Sequence, residues 1–228
     1  MNDVFENLII KFNSLYKQYA NSFDELYQSI DFSECRKEYS KGGESMFWGY
    51  YSPSAADLYI GGLKRGKLLK DPSKNGTHSF EYLFDGNKMV CVLYCLPPEY
   101  NHQYGEIEFL VHSEDRILSF QYSYNFKFVK YITESIYKNG LLVQYTTVEF
   151  LDNKCSELKI EEFEYEDNML KSVRYSCYLP SIKLLAADEK YIFTRDAEGY
   201  LDTYTVEDYI HPGSAMQNVQ YKVLVKRK

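Results

Sequence analysis

Apolar residues recur at three- and four-residue steps near the start of the chain. Val4, Phe5, Leu8, Ile9, Phe12, Leu15, Tyr16 and Tyr19 fall on one face of a helix expected over residues 3–20. A second short helix is expected from Ser22, with Glu25 three residues on completing a capping box. Its apolar positions are Phe23, Leu26, Tyr27 and Ile30. The pair reads as a helical hairpin with one apolar face laid on a sheet.

From about residue 78 the period changes to two. Leu118, Phe120, Tyr122 and Tyr124 alternate with Ser119, Gln121 and Ser123. Ile107, Phe109 and Val111 do the same, as do Val219, Tyr221, Val223 and Val225. The run Met89–Leu96 is apolar at both parities and reads as a central strand buried on both faces. Between such runs stand Asp85-Gly86-Asn87, Glu114-Asp115, Asn139-Gly140, Asp152-Asn153, Asp167-Asn168 and Asp196-Ala197-Glu198-Gly199. Asn, Asp and Gly tolerate the positive φ of tight hairpin turns. One more short helix is expected near Ser181–Glu189. The fold class is therefore α+β: a helical cap over 1–40, an irregular glycine-containing connection over 41–77, and an antiparallel meander of roughly ten strands over 78–228. No linker separates these parts, so all 228 residues are read as one domain.

Composition narrows the function. Hydrophobic residues are 45% and charged residues 26% of the chain, which excludes a disordered or low-complexity protein. Aromatic residues are abundant, with 24 Tyr and 14 Phe against one Trp. The net charge is −7, and residues 1–76 contribute nothing to it, with ten Lys/Arg against ten Asp/Glu. The acidic body repels phosphate backbones and attracts a basic protein partner, so nucleic-acid binding is not expected. Apolar runs are too short for a membrane helix. The N-terminus lacks the pattern of a signal peptide, and five cysteines form no disulfide framework, so a cytoplasmic protein with reduced, mostly buried thiols is expected.

Chemistry-bearing residues are sparse. Cys91 and Cys95 are four apart on a strand, about 13 Å between Cα atoms, too far for one zinc. His78, His102, His112 and His211 form no ligand pair beyond a possible approach of His102 and His112 across a hairpin. Cys35 precedes Arg36 and Lys37 but has no nearby histidine. The basic run around Gly66-Lys67-Leu68 lacks the hydroxyl of a phosphate-binding loop and is read as a solvated loop. No cofactor or metal is expected. The densest acidic cluster is Glu161, Glu162, Glu164, Glu166 and Asp167. A β-bulge at Glu161–Glu162 would bring Leu158, Ile160, Phe163 and Tyr165 to one face and leave Glu162, Glu164 and Glu166 in a row on the other. That row is the candidate partner-binding site.

The hairpin texts repeat. Tyr82-Leu83-Phe84-Asp85-Gly86-Asn87-Lys88-Met89, Phe163-Glu164-Tyr165-Glu166-Asp167-Asn168-Met169-Leu170 and Asp196-Ala197-Glu198-Gly199-Tyr200-Leu201 share an incoming aromatic, an Asp/Asn/Gly turn and a returning Leu or Met. This resembles the tyrosine–aspartate (YD) repeats of Rhs-type bacterial proteins, in which a Gly follows the Asp at a fixed step. In the second text that Gly is missing, and in the first it is displaced. In overall style the chain is also similar to immunity proteins of bacterial polymorphic toxin systems. The expectation is a non-enzymatic protein-binding protein, an immunity protein neutralising a basic toxin domain. The alternative is a carbohydrate- or small-ligand-binding β module, and third stands an enzyme using carboxylates.

Overall fold

The computed structural model describes residues 2–44, 47–70, 79–96, 104–211 and 220–223. Helix α1 spans Asn2–Tyr19 and α2 spans Phe23–Gln28. Phe5, Phe12, Tyr16 and Phe23 are their buried positions. Ser22 does stand at the start of α2, but the expected capping box does not form. Its φ of −93° and ψ of 12° leave the extended region that aims a capping hydroxyl at the first turn. Instead Ser22 Oγ donates to the Gln18 carbonyl at 3.3 Å, back along α1.

Among the described residues, thirteen strands form one sheet. They are β1 (Arg36–Lys41), β2 (Lys67–Leu68), β3 (Phe80–Asp85), β4 (Lys88–Cys95), β5 (Tyr104–His112), β6 (Arg116–Ser123), β7 (Val129–Lys138), β8 (Leu141–Leu151), β9 (Lys154–Glu166), β10 (Met169–Leu179), β11 (Leu184–Arg195), β12 (Leu201–Asp208) and β13 (Gln220–Lys222). From β3 to β13 each strand pairs antiparallel with the next. Beyond β3 the order is β1 then β2, so β1 is the inserted strand. Three turns carry positive φ at both central residues: Asn139-Gly140, Asp152-Asn153 and Asp167-Asn168. That is the geometry that continues the right-handed twist of flanking strands.

The ten strands β3–β12 are the expected meander. Three differences stand beside it. Residues 36–40, assigned to the helical cap, form β1 together with Lys41; its text Arg-Lys-Glu-Tyr-Ser-Lys has no apolar alternation to reveal a strand. The segment near Ser181–Glu189 is a single turn of 3-10 helix over Pro180–Ile182 followed by β11, not a longer helix. Of the strand expected at 219–225, residues 220–223 are described. His78 and His102 lie outside the described residues.

The sheet has two cores on opposite faces. On one, α1 and α2 cover Leu93, Ile107, Phe120, Ile132, Val148 and Leu158. Rings lock the helix in place: Tyr19 stacks on Phe120 at 4.0 Å between centroids and Tyr16 on Phe150 at 4.5 Å. Lys11 of α1 also reaches the fully buried carboxylate of Glu134 on β7, at 2.5 Å, which Arg116 shares at 3.0 Å. On the other face lies the segment joining β1 to β2, here called the insert. Trp48 packs with Phe80, Tyr82 and Val92, and Ala55, Tyr59 and Ile60 pack with Phe163, Val173, Tyr191 and Phe193.

Strand β9 passes from one core to the other. Its register is unbroken across Glu161 and Glu162 on both sides, Tyr145↔Glu161↔Tyr175 and Gln144↔Glu162↔Arg174. The expected bulge at Glu161–Glu162 is therefore absent. Leu158 and Ile160 face the helices, while Phe163 and Tyr165 face the insert. Alternating parities are both apolar because each half of the strand is covered from a different side.

Candidate functional site

The insert is fixed to the sheet by two buried carboxylates. Glu108 of β5 is fully buried. It accepts hydrogen bonds from the Trp48 backbone N–H (2.8 Å), Tyr94 Oη (2.7 Å) and Ser119 Oγ (2.5 Å). Burial raises its pKa, and those three donors oppose the rise. Glu161 of β9 does the same further along. It accepts from Ser54 Oγ (2.5 Å), the Ala55 N–H (2.8 Å) and the Ala56 N–H (2.9 Å). These are the free amides at the start of the π-helical turn Ala56–Ile60. Burial pushes the Glu161 carboxyl up to about 7. On the other side of Glu108 from Glu161, Tyr82 Oη of β3 accepts the Tyr50 N–H at 2.8 Å and pairs with Ser40 Oγ at 2.8 Å.

A carboxyl titrating near neutrality is the kind that serves as acid or base. Glu161 is closed to that use in this arrangement. Both its oxygens are occupied by the insert, and it is 5% exposed. The thiols are equally disarmed: burial raises Cys91 well above its usual range and pushes Cys95 up to about 12 and Cys155 and Cys177 up to about 11. No disulfide links the five cysteines. Among the described residues, no three His, Cys, Asp or Glu side chains are grouped to hold a metal. No helix among them is long and apolar enough to cross a membrane.

Two clefts open beside the insert. One, of about 560 Å³, lies over the middle of the sheet and is lined by Asp57, Tyr131, Glu157, Lys159 and Tyr175 among others. Here Lys159 pairs with Glu157 at 2.5 Å, and burial raises the Asp57 carboxyl. The other, of about 980 Å³, separates the glycine-containing ends of the insert from the β11–β12 hairpin. One wall is Lys41–Gly43 and Gly62–Lys67 with Tyr59; the facing wall is Leu170, Arg195 and Gly199–Leu201. The near wall needs glycine at its closest point. A Cβ on Gly66, at φ +77°, would strike the Gly42 backbone, so the two loop stretches touch main chain to main chain.

Glu162, Glu164 and Glu166 are exposed side by side on the helix-side face of β9, beyond the reach of α1. They are not bare. Arg174 stands across from Glu162, Lys190 pairs with Glu164 at 2.7 Å, and Lys171 lies 3.5 Å from Glu166. The basic loop read as solvated does expose Lys64 and Lys67, and it also forms a cleft wall. Glu108 and Glu161 were not singled out as site residues, yet parity held a signal for the second: Glu161 shares the side of Phe163 and Tyr165. Comparison with known proteins finds no matching family model, curated protein or solved structure.

Proposed function

We propose that the protein is a non-enzymatic binding protein that takes a small ligand in the cleft between the insert and the β11–β12 hairpin. The observation that carries this is the cleft itself: about 980 Å³, walled by Leu58, Tyr59, Leu170 and Leu201 with a few polar groups. Ligand sites have this size and this mixture. The buried groups that catalysis would draw on support the same reading. Glu108 and Glu161 are saturated by hydrogen bonds that dock the insert on the sheet, upstream of the stretch that walls the cleft. A ligand-observed NMR screen of small molecules tests it, with Leu201→Trp as the filled-cleft control. Hits that vanish in the variant are expected. A screen whose hits all survive Leu201→Trp contradicts the proposal.

A second reading keeps the protein-binding role, with Glu162, Glu164 and Glu166 as the docking row of an immunity protein for a basic toxin domain. It is favoured by their exposure on one uncovered stretch of sheet. Against it, each carboxylate has a basic neighbour, which lowers the field offered to a partner. Converting all three to Lys should slow association with a basic partner and weaken its salt dependence.

A further inference from the structure

The larger cleft collects cations in a chain whose net charge is −7. Lys41, Lys64, Arg65, Lys67 and Arg195 all line it, and among the described residues no Asp or Glu does. Among the described residues no carboxylate forms an ion pair with any of the five. Glu44, on the same loop, accepts from the Lys64 backbone N–H at 3.4 Å rather than from its ammonium group. Several cations elsewhere on the sheet meet an acid: Lys37, Lys130, Lys159, Arg174 and Lys190. The cleft gathers five cations into one lining that, among the described residues, holds no acid.

Two of the cations are held where they are. Arg195 donates to the Gly199 and Leu170 carbonyls at 2.6 and 3.0 Å, which fixes its guanidinium across the β11–β12 turn. Arg65 is half-buried and donates to the Tyr50 carbonyl at 2.7 Å. Among the described residues its other nitrogens have no hydrogen-bond partner. Holding a guanidinium partly out of water without an anion is costly, and an incoming anion removes that cost. Lys64 and Lys67 are exposed at the mouth on either side of Arg65. The remaining wall is apolar and aromatic, with Tyr59, Tyr200 and Leu201 able to meet a planar group.

We propose that this cleft binds a small organic phosphate, its phosphate met by Lys64, Arg65 and Lys67 and its planar body lying against Tyr59, Tyr200 and Leu201. This rests on the ligand-binding reading above and adds the class of ligand. Guanidinium and ammonium donors recognise phosphate by charge-assisted hydrogen bonds. The acidic remainder of the surface repels polyanions, so a small phosphate that fits inside the cleft is preferred over a nucleic-acid backbone.

Calorimetric titration of the full chain with adenosine monophosphate, adenosine and inorganic phosphate tests the inference. Adenosine monophosphate should bind, and each half alone should bind at least about tenfold more weakly. The double variant Lys64→Gln/Lys67→Gln should weaken adenosine monophosphate by roughly tenfold or more while leaving adenosine and the melting temperature unchanged. Leu201→Trp should remove both nucleoside and nucleotide. If adenosine and its monophosphate bind alike and both are lost in Leu201→Trp, the cleft takes ligands but not for their phosphate. The ligand-binding reading then stands and this inference falls. Binding that survives Leu201→Trp, or no binding of any of the three, also overturns it. The broader screen decides the ligand-binding reading separately.

Discussion

A single carboxyl shows how residue-scale chemistry sets the candidate site. Glu161 replaces water with three donors from the insert, yet its pKa still rises to about 7 because burial outweighs them. The folded-state value lies above the ordinary 4.5. The folded protein therefore holds this proton more tightly than the unfolded chain does. The stability so contributed is full below about pH 4.5 and is lost as pH rises through about 7. Glu161→Gln keeps the shape and removes the titration. Urea unfolding at pH 5 and pH 8 should show wild type losing stability relative to the variant, by up to about 3 kcal/mol. Parallel pH profiles would contradict the burial account. Tyr82→Phe isolates the neighbouring pin. It leaves the part-buried Tyr50 N–H and the buried Ser40 hydroxyl without their partner, and should cost about 1–3 kcal/mol in the same assay.

At the scale of the element, β9 explains what the sequence could and could not disclose. Its turn was legible: Asp167-Asn168 sits at φ +52° and +62°, as turn chemistry requires. Its apolar residues were legible as buried. What could not be read was which cover each faces. Two helices on one side and an irregular insert on the other make opposite parities apolar, and a local pattern imitates a bulge. Strand β1 was missed for the converse reason, because a strand paired on both sides but polar in text has no period to detect. Two measurements follow. Leu158→Ala and Phe163→Ala should each destabilise by about 2–5 kcal/mol, and the losses should be nearly additive, because the two side chains belong to separate cores. Strong coupling between them would restore the single-face picture. Asn168→Gly, at a position whose φ favours glycine, should raise stability by up to about 1 kcal/mol in thermal unfolding.

On the scale of the whole molecule, a thirteen-stranded open sheet is a large surface to cover with so little chain. The solution is two partial covers staggered on opposite faces. At one edge of the sheet the outermost strand, β2, is only two residues long, which limits the backbone left open to edge pairing there. The clefts arise where the insert ends and the sheet continues. Everything proposed for the larger cleft therefore depends on the insert being docked, with the Ala55 and Ala56 amides closed onto Glu161. Native-state hydrogen exchange reads those two amides directly. In wild type they should be protected to a degree comparable with the central strands. In Glu161→Ala their protection should collapse while β5–β7 keep theirs. Rapid exchange of Ala55 and Ala56 in the wild-type protein would mean that the insert is not held on the sheet, and the cleft it walls would not exist.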